Sequence, residues 1–371
     1  MPTDPRGDRS GAAGGLGDGG LYDAVLLVSF GGPDGPDDVM PFLENVVRGR
    51  PVPRERLLEV AEHYHHFGGR SLINEQNQAL LSALRAELAS RGPQLPVYWG
   101  NRNWHPLLPD TLKQMTTDGV TRAVALVTSA FSCYSGCRQY RENVAAACAT
   151  VGGDAPTVDK IRVFFNHPGF VDTMADNLRR ALADLGGRGE PVTVLFTAHS
   201  IPMSMADTSR YVPQLEESSR LVAEAAGVSD WRLVFQSRSG PPSQPWLEPD
   251  VCDAIRGLAG GGVSRVAIVP IGFISDHMEV LYDLDTEAAD LCRELGVQMV
   301  RVPTAGTAPR FVSMLRDLIA ERHWQLPDRP AVGRLSASHD VCPADCCPAP
   351  AARPPANPTG SGERPARGPG R

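Results

Sequence analysis

Two short stretches of this chain gather thiols. Three lie in Cys342-Pro-Ala-Asp-Cys346-Cys347 and two in Cys133-Tyr-Ser-Gly-Cys137, out of eight cysteines in 371 residues. Disulfide frameworks belong to small secreted chains, so clustered thiols in a chain this long read as metal or iron–sulfur ligands. The three tail thiols with Cys137 or Cys133 as a fourth make a Cys₄ set, which suits zinc or a cluster. Spacing does not choose between the two. The adjacent pair Cys346–Cys347 is unusual for structural zinc and favours a cluster. The surrounding prolines predict a segment that does not pack, which leaves ligation as the reason for the thiols.

A second group combines nitrogen and oxygen donors. His199 follows a β-branched run and precedes Ser200-Ile-Pro202. It reads either as a strand-end histidine bonded to a backbone carbonyl or as a neutral imidazole that accepts protons or binds a metal. Ser275-Asp-His-Met-Glu279 reads as a helix start, with Asp276 as N-cap and Glu279 three residues on. The same helix continues through Asp283 and Glu287, so three carboxylates repeat every fourth residue on one face. Like charges at that spacing repel by a few tenths of a kcal/mol per pair. A row of hard oxygens leading to His277 and Glu279 can instead pass a divalent cation inward. The stretch His63-Tyr-His-His-Phe-Gly-Gly-Arg-Ser71 suits a helix end with a Gly-Gly cap. It also suits a lip over a flat apolar ligand carrying carboxylates, with Arg70 and Ser71 as contacts. Arg102, Trp104, Arg138, Tyr140, Arg141 and Arg238 are further polar candidates.

The elements that must position these groups alternate. Short apolar runs at 24–29, 97–100, 123–128, 161–165, 192–197, 232–236, 266–270 and 298–302 predict buried strands, separated by amphipathic helical segments. That pattern makes an α/β fold with mainly parallel sheets covered on both faces. The halves repeat: 25–33 parallels 194–202, 98–102 parallels 234–238, and 124–131 parallels 266–273. Two similar doubly wound, Rossmann-like domains are expected, at 22–165 and 166–315. A C-terminal helix and cysteine segment through 347 follow, with a last helix beginning near 309. Residues 1–20 and 348–371 are rich in Pro, Gly and Ala and are expected to be disordered tails. Ligands of open parallel sheets bind beyond the carboxyl ends of the strands, so Phe30 and His199, at equivalent strand ends, would approach one ligand from opposite sides.

Composition narrows the classes. A net charge of −7 argues against a nucleic-acid binder, and no run of about 18 apolar residues predicts a membrane span. The amino-terminal stretch lacks the apolar core of a signal peptide, so a cytoplasmic protein is expected, and a monomer, since no long apolar surface helix stands out.

Taken together, the motifs resemble those of the ferrochelatases. They are Leu27-Val-Ser-Phe-Gly-Gly-Pro33, His66-Phe-Gly-Gly-Arg-Ser-Leu-Ile-Asn74, Thr197-Ala-His-Ser-Ile-Pro202, Gln236-Ser-Arg-Ser-Gly-Pro241 with Pro245-Trp-Leu247, and Pro270-Ile-Gly-Phe-Ile-Ser-Asp-His-Met-Glu-Val-Leu-Tyr-Asp283. The resemblance is to the actinobacterial branch, and it implies a chelatase fold that inserts Fe²⁺ into coproporphyrin III, with a [2Fe–2S] cluster. Protoporphyrin IX as substrate, a non-catalytic haem or cluster carrier, and a chelatase for cobalt or nickel are the rivals. It further implies that His199 and Glu279 bind iron and handle pyrrole protons, with Asp283 and Glu287 as a delivery path. Ser71 and Tyr140 become porphyrin contacts, joined by Phe30, Arg48 and Arg70. Cys137, Cys342, Cys346 and Cys347 become cluster ligands. Many coproporphyrin members carry a tyrosine where this chain has Phe30, which has no oxygen to offer iron, so His199 is left as the protein ligand.

Overall fold

The computed structural model describes residues 19–186, 191–240 and 243–350. The expected tails therefore lie almost wholly outside the described residues. Eight strands form two sheets: β1 (Ala24–Ser29), β2 (Val97–Asn101), β3 (Arg122–Val127) and β4 (Thr157–Lys160) in one, β5 (Thr193–His199), β6 (Trp231–Gln236), β7 (Arg265–Val269) and β8 (Gln298–Arg301) in the other. Their orders are β2-β1-β3-β4 and β6-β5-β7-β8, and every neighbouring pair is parallel. The two sheets thus share one topology, and the three repeated sequence segments fall on its three equivalent strands.

Burial follows the strand period of two. Val25 and Leu27 of β1 and Val194 and Phe196 of β5 face one apolar core that runs between the sheets. Ala24, Leu26 and Val28 face helices on the outer side of the first sheet. Leu195 with Val266 and Ile268 does the same on the second. A fourth cluster lies over the cleft. It joins Phe42 and Leu43 of the helix Val39–Val46, Leu57 and Tyr64 of the helix Arg54–His66, and Met278 from the second half.

Three expectations are corrected. Residues 161–165 are not a strand. β4 ends at Lys160, and the chain then leaves the sheet edge and carries Ile161, Val163, Phe164 and Phe165 into the core between the sheets. Its apolar run serves burial on all sides, not a ladder. Second, Asp276 caps no helix; His277 holds the N-cap position and Asp276 pairs with Arg301 at 2.9 Å. Third, the segment after the last helix, Pro309–His323, is not loose. Val332 N donates to Asn166 O at 2.9 Å, the Asn166 amide donates to Leu335 O at 2.6 Å, and an Arg162 N–H reaches Pro330 O at 3.1 Å. Backbone groups that proline leaves free are satisfied by buried side chains of the body, and this straps the segment down.

Candidate active site

His199 is the last residue of β5 and still pairs with Gln236 of β6 in the ladder. Its own carbonyl accepts from Tyr211 Oη at 3.1 Å. Its Nδ1 lies 2.5 Å from the Ser200 carbonyl. A carbonyl only accepts, so Nδ1 carries a hydrogen, and Nε2 is the ring nitrogen left to act as a base or ligand. Nε2 lies 3.9 Å from Glu279 Oε1, while His277 Nε2 lies 4.0 Å from the other carboxylate oxygen. Burial lowers the pKa of His277 against the pull of Glu279, which favours a neutral ring there. Two imidazoles therefore flank one carboxylate at the carboxyl ends of β5 and β7. The Glu279 charge adds to burial in raising the phenols of Tyr64 and Tyr140, both from the first half. Both halves thus face the same carboxylate.

Glu279 sits on a short helical turn, Met278–Val280, which runs into a π-helix, Leu281–Ala288, and then a helix Ala289–Leu295. Wide i→i+5 turns of this kind are frequent at functional sites. Asp283 lies in the π segment beneath Glu279. Gln236 Nε2 donates to Asp283 Oδ2 and to the Glu279 carbonyl, each at 3.2 Å, and Ser237 Oγ donates to the same Asp283 oxygen. Ser237 holds a left-handed backbone, φ 61°, to reach it. Burial foremost, with the Glu279 and Glu287 charges, pushes the Asp283 pKa up to about 7 in spite of these donors. Glu287 is exposed, and its pKa is also raised, by partial burial and by Asp250. The row thus has its most buried member in the middle, and at neutral pH that member is poised between acid and anion.

A stability prediction follows from that shift. An unfolded aspartate ionises near 3.8, so the fold loses stability as pH rises from there through about 7, and the full penalty applies above. Asp283→Asn keeps an acceptor for Ser237 and removes the ionisation. It should raise Tm by about 3–8 °C at pH 8 and by less than about 1 °C at pH 4. Thermal melts at the two pH values check this; an equal shift at both would show that charge is not the cause.

The loop before Glu279 is clamped from two sides. Gln76, in the helix Ile73–Arg91 of the first half, donates to Asp276 O and accepts from Asp276 N, both at 2.7 Å. Arg301 of β8 forks between Asp276 at 2.9 Å and Asp285 at 2.6 Å. These contacts fix the bend that aims His277 and Glu279.

The other candidates divide. Phe30 follows β1 and meets Phe42 edge-on at 6.2 Å. Tyr140 is buried under the guanidinium of Arg102, 4.5 Å from its ring centroid. Ser71 is also buried: its N–H donates to Pro33 O at 2.9 Å, and its Oγ accepts from Ile73 N at 3.4 Å. Gly32 allows this approach, since a Cβ there would lie 2.6 Å from that of Ser71. Arg70 is exposed and pairs with Glu75 at 3.4 Å, and Arg48 is exposed in the turn after the helix Val39–Val46. The histidine-rich stretch ends its helix at His66, with Gly68 and Gly69 both left-handed, and stacks His63 on Tyr282 of the second half at 3.8 Å. The Gly-Gly cap and the lip over the cleft are therefore parts of one device.

The thiols converge as well. Cys137 lies in a π-turn, Tyr134–Arg138, and is buried; the Cys342 and Cys347 thiols directed at its sulfur lower its pKa. Cys346 Sγ is 3.6 Å from Cys347 Sγ and 3.6 Å from His339 Nε2. His339, Cys342 and Cys346 place their ligand atoms within 4.8 Å of one another. Cys347 holds a left-handed φ of 52°, strain expected where a site over-determines the backbone. Cys133 is turned to other uses, as its sulfur accepts from Gly136 N at 3.2 Å and meets Ser135 Oγ at 3.4 Å. Four thiolates suit a [2Fe–2S] cluster or zinc, so the donor set fits the expected group. His339 has no signal in the sequence, because it stands outside the cysteine spacing. Gln76 has none either, since it reads as one polar residue among others on a helix. Gln236 and Ser237 were visible only inside a motif, without a role.

Comparison with known proteins bears on these geometries. Residues 22–323 match the family described as Ferrochelatase. Over 335 residues the chain is 60% identical to a protein of Rhodopirellula baltica named ferrochelatase, covering 90% of this chain and 95% of that one. It is 53% identical over 356 residues to a coproporphyrin III ferrochelatase of Streptomyces coelicolor, with the same two coverages. The fold matches that of SirB from Bacillus subtilis with Fe³⁺, at a TM-score of 0.51 and 13% identity, across 81% of this chain and 96% of that one. A doubled parallel sheet with an imidazole–carboxylate pair between its halves, and a family match over nearly all of both, lead to one conclusion: this chain belongs to the ferrochelatase family, the enzymes that insert ferrous iron into a porphyrin in haem biosynthesis.

Proposed function

We propose that the porphyrin is coproporphyrin III and that His199 and Glu279 carry the metallation. The observation that supports this most is the 3.9 Å approach of His199 Nε2 to Glu279 Oε1, beneath a lip contributed by both halves. Metallation exchanges two pyrrole N–H protons for one Fe²⁺. His199 Nε2 accepts a pyrrole proton, and Glu279 receives the incoming cation and passes protons outward. Asp283, half protonated near neutral pH, releases its proton as the cation passes and takes one back afterwards. Glu287 is the outer station of that path. Phe30 supplies an apolar wall without an axial oxygen, and Tyr140 and Ser71 line the first half. Arg48 and Arg70 are the exposed cations offered to the carboxylates of the ligand.

The substrate follows the names of the Streptomyces relatives and the four carboxylates of coproporphyrin, which call for more cationic partners than the two of protoporphyrin. We further propose that Cys137, Cys342, Cys346 and Cys347 hold a [2Fe–2S] cluster, which when bound supplies four metal–sulfur links between tail and body and a redox-active centre. All eight cysteines are free thiols, which suits a reducing, cytoplasmic setting. Among the described residues no helix is long and apolar enough to cross a membrane.

The experiment is anaerobic incubation of the purified chain with Fe²⁺ and either coproporphyrin III or protoporphyrin IX, following the free-porphyrin absorption bands. Coproporphyrin should be metallated at least about 10-fold faster, since each charge-assisted carboxylate contact distinguishes the two by roughly that factor. Faster turnover of protoporphyrin overturns the substrate. Binding of coproporphyrin without metallation overturns the roles of His199 and Glu279 and leaves a carrier.

A further inference from the structure

Arg102 immediately follows β2, where it is half-buried and stacked between rings. Its guanidinium carbon is 5.5 Å from the Phe30 centroid and 4.5 Å from that of Tyr140. Its side-chain hydrogen bond is a long one, Nη1 to Ser135 O at 3.5 Å, and its Nε is buried without an acceptor. Among the described residues it has no carboxylate partner.

The repeated half offers a control within the same molecule. Arg238 occupies the equivalent place after β6, and it approaches Glu248 at 3.8 Å and donates to Gln244 O at 3.1 Å. Of two guanidinia at matching strand ends, one is matched with a carboxylate and the other faces the cleft without one. A cation drawn partly out of water and left without an anion is destabilising. Ring faces offset this only in part, at about 0.5–2 kcal/mol. The arrangement makes physical sense if a ligand brings the anion. Tyr140, under this guanidinium, feels the Glu279 charge, so Arg102 belongs to the same cleft. The planar fork of an arginine matches a carboxylate with two parallel N–H···O bonds, which a lysine cannot reproduce.

We propose that Arg102 binds a propionate carboxylate at the edge of the tetrapyrrole and thereby makes the cleft select the free acid over neutral porphyrins of the same shape. The proposal rests on the porphyrin reading of the cleft and adds a specificity residue that neither the sequence motifs nor the lip supplies.

The test is a binding measurement without iron. Fluorescence titrations of the full chain with coproporphyrin III and with its tetramethyl ester, in one detergent buffer, compare wild type with Arg102→Gln and Arg102→Lys. Arg102→Gln should weaken the free acid by about 10–100-fold and the ester by less than about 3-fold. Arg102→Lys should recover part of the loss. Unchanged affinity for the acid in Arg102→Gln overturns the proposal, as does an equal loss for acid and ester, which would mark a packing role. If wild type binds neither porphyrin, the porphyrin reading of the cleft falls with it; if wild type binds both and Arg102→Gln keeps the wild-type preference for the acid, only the role of Arg102 falls.

Discussion

His199→Ala is expected to lower iron insertion by about 10²–10⁴-fold while coproporphyrin III still binds within about 3-fold of wild type. The pyrrole protons are weakly acidic, and the ring must lose them as the cation arrives. In the proposed mechanism Nε2 of His199 is the base, since the Ser200 carbonyl can only accept and so takes the hydrogen of Nδ1. Alanine removes this base without removing a ladder position: the backbone of residue 199 still pairs with Gln236, and Phe196 and Ala198 still fill the core. A melting curve near that of wild type separates chemistry from folding, and added imidazole should restore part of the rate. Near-normal insertion by the folded variant would take His199 out of the mechanism.

Cys137→Ser should abolish the proposed cluster. Iron and acid-labile sulfide in the chain as isolated should fall to background, and the visible absorption should vanish. Cys137 is the body's contribution to a thiol group whose other members all come from the tail, so its loss leaves three ligands on one short segment. Cys133→Ser, four residues away, should retain metal and colour, because the sulfur of Cys133 is occupied by Gly136 N and Ser135. Zinc alone in the wild-type chain would overturn the cluster assignment. An unaltered spectrum in Cys137→Ser, with loss in Cys133→Ser, would exchange the two cysteines.

The strap beneath that tail bears on the same experiment. Asn166 and Arg162 hold residues 330–335 with side chains that are themselves buried, and Arg162 is neutralised by Glu321 at 2.8 Å. The tail is thus held near Cys137 by contacts of the body that involve no metal. Proline-rich composition pointed the other way, since prolines form no ladder. The body supplies the missing partners from residues more than a hundred positions earlier, and no local pattern announces that.

Most of the architecture was legible because parallel strands buried on both faces must be short apolar runs, and seven of the eight runs are strands. The eighth, 161–165, shows the limit: an unbroken apolar run is equally what a coil needs when it threads a core, and only packing decides between them. The duplication was legible for a related reason. Strand-end residues recur in both halves because each half solves the same problem of exposing polar groups at the sheet's edge.

Residue types alone singled out the candidate groups: an imidazole after a strand, carboxylates every fourth residue, thiols crowded near the end. The tertiary structure decided their states and partners. It put a hydrogen of His199 on Nδ1, buried Asp283 far enough to hold its proton near neutrality, turned Cys137 and not Cys133 toward the tail, and left Arg102 without a carboxylate partner among the described residues. Those outcomes depend on burial and on neighbours from distant segments, which set the electrostatic energy of a group and are absent from its local sequence.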